Sequence, residues 1–204
     1  MRCGVYIGAA IVLLLGSALP TRAQQPETHE APRPVPPLND HQLLKKYVWS
    51  TLGPNGLLSS AIAAGLEQWR GSPEDWERDE NGYAERWASE YAASAIGNTT
   101  KYAVARMLHQ DPSFVPCECV GVKPRLGHAL AAPFKARRKD GQWEFSPATV
   151  LGLTAQSVIP AATWYPAPHG VRDGVAHAAS AVLSKMAVDV VKEFLPERFR
   201  KPKI

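Results

Sequence analysis

Three short segments of this 204-residue chain gather side chains able to do chemistry. The first, from Lys101 to Pro112, carries Lys101, Arg106, His109 and Asp111; the second, from Arg125 to Phe134, carries Gly127 and His128; the third, from Ala162 to Gly174, carries His169, Arg172 and Asp173. Neutral imidazoles can act as nucleophiles or proton carriers, and Lys and Arg gather anionic groups. Lys101 and Arg106 are five residues apart, so on a helix they stand about 140° from each other around the axis. They flank one anion only if that side of the helix faces the two histidines. The plainer assignment leaves both cations solvated, packs His128 and puts His169 in a loop.

Other chemistries fit less well. His109, Asp111, Cys117, Cys119 and His128 are acceptable metal ligands, yet Cys-x-Cys and His-x-Asp match no zinc template, so no metal or other cofactor is expected. There is no nucleophile elbow for a Ser-His-Asp hydrolase. No basic face is interleaved with aromatics, so nucleic acid is not an expected partner.

The elements that position these residues read as helices. From Asn39, residues Leu44, Tyr47, Val48 and Leu52 share one helical face, and Gly53-Pro54-Asn55-Gly56 breaks the run. A second helix spaces Leu58, Ile62, Leu66 and Trp69. Ser72-Pro73-Glu74-Asp75 reads as a helix start, with Asn81-Gly82 as a break before a long helix from Tyr83 to about His109. On that helix Trp87, Tyr91, Ala95, Tyr102 and Ala105 line one face, and Arg86 and Glu90 form an exposed i,i+4 pair. Asp111-Pro112 ends it. A loop with both cysteines follows, then a short helix from Pro124 to Arg138 kinked near Pro133, and a turn at Asp140-Gly141. Ser146-Pro147 caps a helix to Thr163, and the last helix runs from Val171 to about Leu195 with Val175, Ala179, Val182, Met186, Val190 and Phe194 as its buried stripe. No strand-period segment of useful length is present, so the fold class is all-α, a bundle of about five to six helices with short loops.

The N-terminus has the three parts of a secretory signal: Arg2, an apolar run from Val5 to Leu19, and a small residue, Ala23, at the cut. Residues 1–23 are the signal peptide, 24–38 a Pro-rich linker, 39–196 the helical domain and 197–204 a basic tail. Cleavage removes Arg2 and Arg22 from 23 basic residues, leaving 21 against 19 acidic ones, a near balance. The destination is the periplasm or outer cell envelope. N-terminal sequencing of the exported form is expected to begin near Gln24; an intact Met1 in the envelope fraction would refute cleavage. Residues 145–168 carry no charge, but their prolines and polar side chains argue against an ordinary transmembrane helix, leaving membrane association open. Only Cys117 and Cys119 survive cleavage, either bridged to each other or as loop thiols.

In order and spacing, the three segments resemble the signature of the type-two phosphatidic acid phosphatase and haloperoxidase superfamily. That signature is Lys…Arg-Pro, Pro-Ser-Gly-His, and Ser-Arg followed by His-x-x-x-Asp. Here the corresponding stretches are Lys101-Tyr102-Ala103-Val104-Ala105-Arg106, Arg125-Leu126-Gly127-His128, and Thr163 with His169 and Asp173. The resemblance implies an all-helical fold, His169 as nucleophile held by Asp173, and His128 as the proton donor to the leaving group. Lys101, Arg106 and the amide near Gly127 would hold phosphate oxygens. Leu108, Leu126 and Thr163 replace an arginine, a serine and an arginine of the pattern. Each lost donor costs roughly 100- to 1,000-fold in rate, so the resemblance implies a degraded phosphate site. The chain also looks like an uncharacterised family of exported bacterial proteins. The expected function is therefore a non-catalytic structural or ligand-binding role in the envelope, with an active phosphatase on a lipid or small phosphate ester as the rival. Expected partners are a phosphate-containing ligand or an anionic membrane surface.

Overall fold

A computed structural model of the chain describes residues 36–165 and 170–196. The signal peptide, nearly all of the linker, His169 and the basic tail lie outside the described residues.

The fold begins where Asn39 caps α1 (Asp40–Thr51): its side chain accepts from the Gln42 amide while Gln42 bonds back to the Asn39 N–H, closing a capping box. Pro54 opens α2 (Pro54–Arg70), and Gly71 ends it in the left-handed conformation at φ 69°. The long helix α3 (Glu80–Met107) is capped by Asp79, which accepts from the Gly82 amide. Thus Ser72-Pro73 starts no helix, and Asn81-Gly82 is no break. The reason is tertiary. Arg86, fully buried, turns its guanidinium on the carbonyls of Ser72, Pro73, Trp76, Glu77 and Gly82 and on Gln68 Oε1. Those carbonyls are pulled into a loop around one cation, and Arg86 is not half of an exposed pair with Glu90.

After α3 come β1 (Gln110–Asp111), α4 (Val122–Ala131), a single 3₁₀ turn over Ala132–Phe134, β2 (Lys135–Arg138) and β3 (Trp143–Phe145). The expected helix from Pro124 to Arg138 stops early, and a small antiparallel sheet, ordered β1-β2-β3, takes its last residues. Its strands are too short to leave a period in the sequence. The pairing Asp111↔Arg137 places a buried ion pair at 2.6 Å, and Gly141, at φ 83°, turns the chain from β2 into β3. Cys117 and Cys119 are joined by a disulfide in the loop before α4.

Ser146 caps α5 (Pro147–Thr163), which carries Pro160 inside it, and α6 (Val171–Phe194) closes the described fold. The expectation of an all-α bundle holds: the described residues form six helices, with three short strands as an appendage. Helices α2, α3, α5 and α6 are laid side by side in that order. Between α3 and α5 the approach is close because both sides lack a side chain. A Cβ on Gly97 would stand 2.6 Å from Gln156 Oε1, and one on Gly152 would stand 2.8 Å from the Gly97 carbonyl.

This close approach inverts the usual distribution of residues. Small residues lie between the helices, and the largest fully buried side chains include Arg86, Glu193 and Asp189. Large apolar residues point outward: Trp69 is 78% exposed and Leu183 66%. The expected buried stripe of α6 is accordingly displaced. Val175 and Phe194 are exposed, whereas Gly174, Ala178, Asp189 and Glu193 are buried. By length and composition α6 is, among the described residues, the one helix apolar enough to cross a membrane, with 17% of its most apolar window buried.

Candidate functional site

Helices α2, α3, α5 and α6 flank a partly open cavity of about 520 Å³ with a mixed polar and apolar lining, within the range of small-molecule sites. Each helix turns toward it a stripe at helical spacing. From α3 come Glu90, Ala93, Ser94, Gly97, Asn98 and Lys101; from α5 come Thr149, Gly152, Leu153, Gln156 and Ser157. Helix α2 supplies Ser59, Ser60, Ala63 and Glu67, and α6 supplies His177, Ala181, Ser184, Lys185 and Val188. Because the small residues let the backbones converge, the few long polar side chains extend into the space that is left.

Charge is divided along this cavity. Glu90 and Lys101 are eleven residues apart on α3, three turns and a little more, so they share a face about 16 Å apart along the axis. At one end Glu67 and Glu90 are hydrogen-bonded to each other, and both carboxyls are pushed up from their ordinary range, burial being the main cause. For Glu67 the neighbouring Glu90 charge adds to it, and the pair holds a proton at neutral pH. Apart from that shared proton, Glu67 Oε2 is buried with no N–H or hydroxyl donor among the described residues. Tyr165, beside them, has its hydroxyl pushed up to about 12, chiefly by burial.

At the other end stands Lys101. Burial, then the charges of Lys185, Lys46 and Lys192, pull its ammonium down to about 7, with Asp189 opposing. No hydrogen bond or ion pair to Lys101 is present among the described residues. Lys185, also in the lining, is paired with Asp189 one turn on, and burial draws its ammonium down as well. The arrangement is a desolvated cationic end, a proton-sharing carboxyl end, and hydroxyl and amide groups between them.

Of the site residues expected from the sequence, Lys101 lines this cavity. Arg106 does not; it lies at the last turn of α3 in an ion pair with Asp40, whose carboxyl it holds below the usual range. Gly127 is exposed on α4 with open space around it. His128, half-buried, has Nδ1 3.5 Å from Glu193 Oε2 and its ring between Phe114 and Trp143, at 6.1 and 6.2 Å between centroids. Glu193 itself accepts from the Cys117 amide at 3.0 Å and from Arg125 Nε at 3.0 Å, so Arg125 is committed there. Asp173 is exposed in the first turn of α6, and His169 lies outside the described residues. The structure thus brings Lys101 to the cavity and places Arg106, Gly127, His128 and Asp173 outside its lining.

Glu67, Gln156, His177 and Lys185 were not read as site residues from the sequence, and Glu90 was read only as half of an exposed pair with Arg86. The signal was present: Glu90, Ser94, Gly97, Asn98 and Lys101 recur with the period of a helix, but the aromatic stripe Trp87-Tyr91-Tyr102 competed with them for the inner face. Among the described residues no group of three or more His, Cys, Asp or Glu side chains is placed to hold a metal ion. No protein-family model matches the chain, and neither a curated protein nor a solved structure is significantly similar to it.

Proposed function

We propose that this chain is an exported cell-envelope protein that holds a small anionic, phosphate-like ligand in the cavity between α2, α3, α5 and α6 without turning it over. One observation carries the reading: Lys101 meets the cavity with no hydrogen-bond or ion-pair partner among the described residues, beside a second lysine. A cation left unpaired in a desolvated place is costly, and an arriving anion relieves that cost. The outward apolar side chains of α2 and α6 suit apolar surroundings in the envelope. Catalysis is not favoured, because Lys101 is the one described residue of the phosphatase-like set in the lining.

Phosphate or vanadate is expected to raise the melting temperature at low salt. A charged hydrogen bond contributes about 1.5–3 kcal/mol, and salt weakens it. Lys101→Met should abolish the shift, while Arg106→Ala, which removes a surface partner of Asp40, should leave it intact. A shift that survives in Lys101→Met would refute the site. Phosphate-ester hydrolysis lost in His169→Ala would establish the rival enzyme reading.

A further inference from the structure

The anion end is only half of this cavity. We propose that its ligand is a short peptide with free ends, whose ammonium meets Glu67 and Glu90 and whose carboxylate meets Lys101. The inference rests on the reading of Lys101 as an anion partner and adds the second end.

Three features favour an elongated zwitterion over a simple anion. Glu90 and Lys101 line one cavity from one face of α3, their backbone positions about 16 Å apart along the axis, and Glu67 joins Glu90 from α2. Shortened by the reach of the two side chains, that backbone spacing leaves room for an extended ligand of up to about three residues. Second, each end has unused capacity. Apart from the proton shared with Glu90, Glu67 Oε2 is buried with no N–H or hydroxyl donor, and Lys101 is unpaired among the described residues. An ammonium arriving at Glu67 and Glu90 displaces their shared proton and supplies three donors to the carboxylates. Third, the wall between the ends carries Ser94, Asn98, Gln156 and Ser157, with hydroxyls and side-chain amides that match peptide N–H and C=O groups. A bare phosphate would leave most of that wall unused.

Triglycine is the probe, with N-acetyl-triglycine lacking the ammonium, triglycinamide lacking the carboxylate, and glycine too short to bridge. Titration calorimetry on the mature chain is expected to show triglycine binding at least tenfold more tightly than any of the three. Glu67→Gln and Glu90→Gln should each remove the preference over N-acetyl-triglycine, and Lys101→Met the preference over triglycinamide. Glutamine is isosteric with the protonated acid, so these variants are expected to fold, which their circular dichroism and melting curves check. Equal affinity for triglycine and N-acetyl-triglycine overturns the peptide proposal. If phosphate then still shifts the melting temperature through Lys101, the anion reading survives alone. If neither triglycine nor phosphate acts on the wild type, both fall.

Discussion

Arg86→Ala is expected to release the loop from Gly71 to Asp79 and to lower the melting temperature by 8 °C or more. The guanidinium, with no exposed surface, bonds five backbone carbonyls and the Gln68 side chain at 2.7 to 3.0 Å. Removing it leaves those acceptors buried or forces the loop open to water, at a cost of about 4 kcal/mol. For a domain of this size that corresponds to roughly 8–16 °C. Arg86→Lys keeps the charge but offers three donors from a single atom in place of a planar fork, so it should recover only part of the loss. Limited proteolysis gives the second readout, because a freed loop should be cut between Gly71 and Asp79 while the helices persist. An Arg86→Ala protein that melts like the wild type and resists cleavage there would show that the loop stands without its cation.

The same arginine shows what could be read from the sequence and what could not. Local signals held wherever the chain satisfies itself: the helix beginning at Asn39, the break around Gly53-Pro54, the Ser146 cap of α5 and the Asp140-Gly141 turn all appear as read. The signal at Ser72-Pro73 failed because its carbonyls are claimed by a side chain fourteen residues away. The inner face of the helices was misread for a different reason. Ranking residues by hydrophobicity assumes that the largest apolar side chains fill the interior. Here Gly97, Gly152 and Gly174 bring the helices together, and Leu58, Ile62 and Leu183 face outward. Two stripes of opposite character run along α3, and periodicity alone cannot say which is inside. The pairing of Glu67 with Glu90 joins two helices and leaves no trace in either one's spacing.

The cavity's charges also fix how stability should depend on pH in the empty protein. For Glu67 and Glu90 the folded state holds a proton more tightly than the unfolded chain, whose carboxyls release theirs near 4.5. Across that window the folded protein binds more protons, so stability falls as pH rises. Lys101 behaves in the opposite sense. Its ammonium is released at about 7 in the fold and near 10.5 in the unfolded chain, so between these values the unfolded chain binds more protons and stability rises with pH. Below about pH 7 the cost of burying that ammonium is fully present. The melting temperature should therefore pass through a minimum around neutral pH. Lys101→Met removes the cost and should raise the melting temperature at pH 6 by about 4–8 °C, taking about 2 kcal/mol once water in the cavity is allowed for. The gain should shrink toward nothing at pH 10, where the wild-type amine is already discharged. Glu67→Gln should match the wild type at pH 4 and exceed it increasingly toward pH 8. Comparing each variant with the wild type at the same pH cancels the titration of every other group. A Lys101→Met protein less stable than the wild type at every pH would mean that the lysine has a partner inside the fold. It would then be no vacant cation awaiting a ligand.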